Sequence, residues 1–359
     1  MGVKRFFLLL FVSVFSTATL YSQTVKAGVN LNGKSETEGL FKAGDVTFRM
    51  GFIPGGITFP TDQRDDKTAT VKGSYWIGET AVTYQLWYTV RTWAEKNGYK
   101  FFDLDVGTIP PTSENKNHPV HGISWHDAIV WCNAATEWYN ATKGENYEPV
   151  YYKDKKFTKP IRTTFSDASF RSTRIKILDH PYVKESANGF RLLTRKEWEL
   201  AARYIGTVDP ATVTETAQTP LAKERIAISI NGAAYYYTPG YYASGAYDRA
   251  DEWLRQANKK NTPATQVAAT QAVAWYVDNS GGDVHDVALL KPNQLHLYDM
   301  NGNVYTWCDS PDTDAPQDRV ISGGSFHDLM YRMSITFSNF KDPQTRDKTF
   351  GIRLAKNDK

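Results

Sequence analysis

The chain has few of the residues that mark the common functional classes. It holds two cysteines, Cys132 and Cys308, among 359 residues. No disulfide framework can be built from one pair, and two isolated thiols do not form a zinc site of the CxxC kind. The seven histidines contain no HExxH or HxH pairing, which argues against a transition-metal enzyme. An excess of either charge is missing too. Lys and Arg number 42 against 39 Asp and Glu, a formal net of +3, so no reader of nucleic-acid backbones is implied. Apolar runs are short. The run from Phe6 to Phe15 cannot span a bilayer, and no later segment is long and apolar enough to do so.

That one short run has its own meaning. Lys4 and Arg5 precede it, and Ser16, Thr17, Ala18 and Ser22 follow. This is the pattern of a secretory signal cleaved near Ala18 or Ser22, so residues 1–22 are expected to leave and 23–45 to form a polar N-terminal tail. No cysteine lies near the cleavage region, so no lipid anchor is expected. The expectation is an exported protein of the periplasm, cell surface or medium, with no membrane span.

Aromatic residues make up 14% of the chain, within 41% hydrophobic and 23% charged. This composition builds a core and suits a loop-rich fold pinned by large rings. Short strands are expected at Val46-Thr-Phe-Arg-Met50, at Phe52-Ile-Pro-Gly-Gly56 with a turn, and at Val71-Lys-Gly-Ser-Tyr-Trp-Ile77. Three helices are expected. One begins near Thr83, a second at the capping box Ser124-Trp-His-Asp127 and runs to about Lys143 before Gly144, and a third begins at the capping box Thr194-Arg-Lys-Glu197. Residues 153–188 and 205–270 are polar and proline-bearing and read as insertions. After Thr270 the chain returns to short strands and turns rich in Asn and Gly. The fold class is α+β with one domain over 46–355. Trp125, Trp198, Trp275 and Trp307 are expected as core rings, Glu197 as a helix cap, and His126 with Asp127 as a pair on the surface of a first helical turn.

Five ordered segments resemble the formylglycine-generating-enzyme (sulfatase-modifying factor) family, whose fold is C-type-lectin-like. They are Phe52-Ile-Pro-Gly-Gly56; Glu79-Thr-Ala-Val-Thr-Tyr84; Pro119-Val-His-Gly-Ile-Ser-Trp-His-Asp-Ala128; Gly189 to Arg203, with Phe190-Arg-Leu-Leu-Thr194; and Leu297-Tyr-Asp-Met-Asn-Gly-Asn-Val-Tyr-Thr-Trp307. Gly323-Gly-Ser-Phe326 and Phe350-Gly-Ile-Arg-Leu354 complete the resemblance, which spans roughly 46–355.

The resemblance implies a chemistry that the residues do not carry. Members that oxidise a sulfatase cysteine use a reactive cysteine pair shortly after the Gly-Gly-Ser turn, because a thiolate must bind copper or exchange with the substrate thiol. The same offsets from Gly323-Gly-Ser325 fall on Asp328 and Met333. No catalytic residue and no copper site are therefore expected. A second branch of the family, which makes sulfoxides at iron, needs a His-bearing helical domain, and residues 24–44 contain no His.

The resemblance also implies a structural calcium site, with ligands at the Asp299 side chain and the Gly302 and Val304 carbonyls, and Asn279 near another. The family's last ligand, a Glu, is Thr306 here, which weakens a site for a hard cation. A turn braced by Asn and Asp side chains is the alternative. An EF-hand reading of Asp299-Met-Asn301-Gly-Asn303 fails, because Val304 and Ser310 stand where Gly and Glu are required.

The segment 326–349 departs most from the family and is rich in rings. Phe326, His327, Asp328, Tyr331 and Phe337 are the candidate ligand-binding residues, on a surface for a protein or glycan ligand. A differently packed core strand is the alternative. The expected function is a secreted, non-catalytic binding or scaffold protein. The rival is an oxidoreductase acting on a thiol through a divergent site, which free and adjacent Cys132 and Cys308 would favour and a disulfide between them would oppose.

Overall fold

The computed structural model describes residues 39–102, 108–164, 178–206, 225–230, 233–250, 263–311 and 316–358. The expected signal segment and residues 23–38 of the expected tail lie outside the described residues.

Strands β1 (Leu40–Ala43) and β2 (Val46–Ile53) form a hairpin, closed by Gly44 at φ +59°. The tail was expected to run to residue 45, but Phe41 is buried and stacks on Phe48, ring centres 5.1 Å apart. Burying that ring fixes the chain into the sheet before Val46. Strands β3 (Ile57–Thr61) and β4 (Lys67–Val71) form a second hairpin, and β5 (Tyr75–Gly78) returns to β2. The single strand expected over 71–77 is thus two, split at Gly73-Ser74. There the Ser74 hydroxyl accepts from the Gly55 N–H at 3.0 Å, which pins the turn.

Helices α1 (Tyr84–Lys96) and α2 (Trp125–Lys143) follow, then the short pair β6 (Tyr151–Tyr152) and β7 (Tyr182–Val183), β8 (Phe190–Arg191) and helix α3 (Arg195–Arg203). All three helices start where the sequence places them. Thr83 accepts from Leu86 N–H, and Ser124 and Thr194 close full capping boxes with Asp127 and Glu197. Gly144 ends α2 in the left-handed conformation at φ +72°. Strands β9 (Tyr204–Gly206), β10 (Ile226–Ile230) and β11 (Ala233–Tyr237) make a three-stranded sheet, so the expected insertion over 205–270 carries regular structure, including helix α4 (Ala264–Gln271).

Two sheets organise the rest. One has the order β1-β2-β5-β16-β8, where β16 (Ala355–Asn357) brings the C-terminal end of the chain between β5 and β8. The domain therefore runs past both expected bounds, 46 and 355. The other has the order β14-β13-β12-β15, from β12 (Tyr305–Pro311), β13 (Arg319–Ser322), β14 (Ser338–Lys341) and β15 (Phe350–Gly351). No helix among the described residues is long and apolar enough to cross a membrane.

The helices pack on these sheets through tryptophans, and the N–H groups of Trp125, Trp131 and Trp307 find backbone acceptors, while those of Trp87 and Trp198 are buried without one. Trp87 and Trp131 stack at 5.1 Å between α1 and α2. Trp125 donates to the Cys308 carbonyl at 3.0 Å and Trp307 to the Ile123 carbonyl at 3.0 Å, which ties α2 to β12 from both sides. Trp125, Trp198 and Trp307 are core rings as expected, but Trp275 is only half-buried and stacks on His285 at 3.8 Å. The expected surface pair His126 and Asp127 is buried. His126 Nε2 meets Asp179 at 2.8 Å, and Asp127 accepts from Arg346 at 2.9 and 3.0 Å, so tertiary partners cover that first turn.

Glu197 does more than cap. Its two oxygens take both Nη groups of Arg191, at 2.7 and 2.8 Å, within the buried joint between β8 and α3. Burial pushes its carboxyl up, but the Arg191 charge and hydrogen bonds outweigh that and hold it below the usual carboxylate range. Glu197→Gln leaves the buried guanidinium without its counter-charge, and the expected loss is about 3–5 kcal/mol of stability, read by urea unfolding. A loss near that of an exposed pair, under about 1 kcal/mol, would show the joint to be solvated.

Candidate functional site

The end of β13 is followed by Gly323 at φ +98° and Gly324 at φ +74°, a backbone that L side chains rarely adopt. Space forbids a side chain as well. A Cβ on Gly323 would stand 2.5 Å from the Met300 carbonyl oxygen, and one on Gly324 2.8 Å from the Arg332 carbonyl oxygen. Asn301 Nδ2 and the Gly302 N–H both donate to the Gly323 carbonyl, at 3.3 and 2.9 Å. The turn is thereby clamped between the Asn-rich loop and the short 3-10 turn Met330–Met333. This clamp sends Ser325 to Asp328 across one face of the β12–β15 sheet.

A cleft of about 280 Å³ opens there. Tyr305, Ile321 and Phe350 contribute to its lining from β12, β13 and β15, and Asn339 and Lys341 from β14. One wall is a fixed relay. Ser325 Oγ donates to Asp328 Oδ2 at 2.5 Å, Asp328 Oδ1 holds Arg332 Nη1 at 2.7 Å, and Arg332 Nε donates to the Tyr331 hydroxyl at 3.0 Å. The other wall is the loop 342–349, held to the start of α2 by Arg346 on Asp127 and by the Gly122 N–H on the Asp347 carbonyl at 3.1 Å. That loop presents Lys348, whose Nζ lies 2.8 Å from His327 Nε2 and 5.6 Å above the Phe326 ring. Tyr305 is buried, its hydroxyl makes no hydrogen bond of full geometry although Asp328 and Arg332 lie beside it, and burial, with the Asp328 charge, pushes its pKa up.

The five candidate ligand residues divide sharply. His327 and Asp328 line the cleft. Phe326 does not. It is 1% exposed and packs with Ala81, Val284 and Val304, so the ring is buried beneath Lys348 and offers no open face to a ligand. Tyr331 and Phe337 are half-buried, meet edge to face at 5.9 Å, and flank Arg332, whose guanidinium lies 5.2 Å from the Phe337 ring. They orient a cleft residue from behind. Met333 and Ile335 are fully buried, so much of the apolar run is core, and Phe340 alone in it is exposed among the large rings. Sequence reasoning missed Tyr305, Arg332, Asn339, Lys341 and Lys348. The alternation of Asn339 and Lys341 around Phe340 is a strand signal at period two, masked in the sequence by the surrounding rings.

At the two positions implied for reactive cysteines, Asp328 is a cleft wall and Met333 is core. The two real cysteines are free and fully buried. Cys308 sits on β12 with its Sγ 3.6 Å from Ser322 Oγ, and burial pushes its thiol up to about 12. Burial raises Cys132 on α2 as well.

At the implied calcium site, Asp299 is buried at φ +50°. Its Oδ2 accepts from the Ala288 N–H at 2.8 Å, and its Oδ1 is buried without a partner. Burial pushes this carboxyl up. The orphan oxygen suits a cation. Asn279 is already committed, accepting from the Tyr276 N–H and donating to the Ala274 carbonyl within its own turn. Asn303 clamps the His285 peptide through both its N–H and carbonyl, at 3.1 and 2.9 Å. Much of the loop is thus braced by Asn side chains, and Asp299 is the member with an oxygen to spare.

Three comparisons place the chain among known proteins. The sulfatase-modifying factor enzyme 1-like domain profile matches residues 37–358. Among curated proteins, the chaperone protein LppX of Paenibacillus barcinonensis is 25% identical over 326 residues, 87% of this chain and 90% of that protein. Among solved structures, the variable protein 1 of Treponema denticola aligns with a TM-score of 0.55 at 23% identity, over 89% of this chain and 98% of that one. CarF aligns with a TM-score of 0.50 at 20% identity, over 89% and 100%. Both share the fold.

Buried thiols of raised pKa react slowly, since the thiolate is the nucleophile. Iodoacetamide is expected to leave Cys132 and Cys308 unmodified in the native protein and to label both in guanidinium, as read by intact mass. Rapid native labelling of either would mean that the thiol is reachable and would reopen thiol chemistry.

Proposed function

This chain belongs to the family of sulfatase-modifying factor enzyme 1-like domains, and from that premise we propose that it is an exported, non-catalytic binding or scaffold protein whose ligand sits in the cleft beside β14. The observation that carries this reading is the pair Asp328 and Met333. One is tied to Ser325 and Arg332 and the other is sealed in the core, so neither can offer a thiolate where the family's chemistry needs one. The remaining thiols, Cys132 and Cys308, are buried. Among the candidate ligand residues, His327 and Asp328 act at the cleft. Tyr331 and Phe337 act by holding Arg332, and Phe326 by supporting Lys348. Export rests on the signal pattern of residues 1–22. The similarity to a protein named as a chaperone favours a protein ligand over a glycan.

A structural calcium ion is part of the same proposal. Asp299 Oδ1 and the Gly302 and Val304 carbonyls would hold it. With Thr306 in place of a carboxylate the site has a single charged ligand, and its affinity is low. Its role is to fix the Asn-rich loop that clamps Gly323.

The enzymatic question is settled by incubating the mature protein with a sulfatase-type cysteine peptide, copper and oxygen, and weighing the peptide. The expected result is no formylglycine while a cysteine-bearing relative converts the same peptide. Conversion at a comparable rate would overturn the non-catalytic reading. For calcium, the melting temperature is expected to rise on adding the ion and to stop responding in Asp299→Asn. Because burial raises the Asp299 pKa, protons compete for the site, so the calcium effect should shrink as pH falls. No calcium response at neutral pH would leave the loop braced by side chains alone.

A further inference from the structure

We propose that the cleft takes an acidic peptide segment in extended form, with its carboxylates on Lys341 and Lys348 and one acceptor oxygen on the Tyr305 hydroxyl. This rests on the reading of the cleft as the binding site and adds the chemistry of what binds.

The charges of the cleft are not balanced. Its two carboxylates are satisfied within the protein. Asp328 is bound by Ser325 and Arg332, and Asp347 accepts from the Thr349 N–H and hydroxyl at 2.9 and 2.6 Å. Asp342, exposed beside Lys341, accepts from the Gln344 N–H at 2.7 Å. The lysines are not so satisfied. Neither Lys341 nor Lys348 forms a contact ion pair with a carboxylate among the described residues, although both act on Asp347 through space, and Lys348 spends one of its three donors on His327. Arg332 keeps its charge turned to Asp328. What faces the open space is therefore two ammonium groups with donors in hand.

Tyr305 supplies the second, independent observation. It is 4% exposed, and its hydroxyl makes no hydrogen bond of full geometry although Asp328 and Arg332 stand within reach of it on the cleft wall. A buried hydroxyl with only poorly aligned neighbours is incompletely satisfied, and a well-placed acceptor delivered by a ligand improves on them. An anion with several acceptor oxygens meets the lysines and the hydroxyl together.

The sheet favours a peptide as the carrier. Strand β14 stands at one end of the order β14-β13-β12-β15, with no strand on its outer side among the described residues. Asn339 and Lys341 alternate on it and face the cleft, while Phe340 between them is exposed. An extended chain laid over this face sets every second side chain against the lining that Asn339, Lys341 and Tyr305 form. Ile321 and Phe350 offer apolar contact in the lining. A chain alternating acidic and apolar residues fits both the period and the chemistry.

The test uses the full chain and fluorescence anisotropy with a labelled peptide of alternating Glu and Val, compared with the same peptide carrying Gln for Glu. The Glu peptide is expected to bind at least about tenfold more tightly and to weaken as salt rises. Lys341→Gln and Lys348→Gln should each cut affinity several-fold, and Tyr305→Phe should cut it less while circular dichroism stays unchanged. Equal binding of the two peptides, abolished by Asn339→Trp, would overturn the anionic chemistry and leave the cleft as the binding site. Binding that survives Asn339→Trp, or no binding of either peptide, would overturn both. Tighter capture of an acidic oligosaccharide such as oligogalacturonate, lost in the lysine variants, would overturn the peptide and keep the anion.

Discussion

A fold with this much irregular backbone in its interior has to find partners for peptide groups that no helix or sheet supplies, and buried asparagine meets that demand here. Asn133, fully buried on α2, donates to the Tyr151 and Ile161 carbonyls and accepts from the Val150 and Tyr151 N–H groups. Asn293 accepts from Leu295 and Leu297 and donates to Ala201 and Ser244. Asn301 ties Ser244 to Gly323, and Asn303 holds both polar groups of the His285 peptide. An amide side chain suits this work because it carries donor and acceptor together and bears no charge to desolvate.

The cleft depends on those clamps. Gly323 and Gly324 adopt their left-handed turn because the Asn301–Gly302 loop and the Met330–Met333 turn stand too close for side chains. The path they enforce brings Asp328 to Arg332, and the anchoring of Arg346 on Asp127 brings Lys348 over the same space. The group that caps α2 is therefore also the anchor of a cleft wall. Charge is concentrated where the loops converge, and thiols are kept in the core layers, where deprotonation is disfavoured.

Local signals read well in this chain. The capping boxes at Ser124 and Thr194 are visible because a cap is decided by residues three apart, and Gly144 marks a helix end for an equally local reason. What the sequence conceals is non-local. The strand expected over 71–77 broke because Ser74 pairs with Gly55, nineteen residues away. His126 and Asp127 looked like surface residues because Asp179 and Arg346, which cover them, are distant in the chain. Phe326 looked like a ligand ring because a run of aromatics does not say which face each ring turns to.

The sequence by itself determined the helices and their caps, the glycine turns and the absence of cysteine at 328 and 333, since each is a matter of residue type at short spacing. The family was legible for the same reason, as an ordered set of short motifs. Tertiary structure alone decided which side chains share the cleft. Tyr305, Asp328, Lys341 and Lys348 come from two strands and two loops, and they meet because the β14-β13-β12-β15 order and the buried amide clamps set distances that no spacing along the chain encodes.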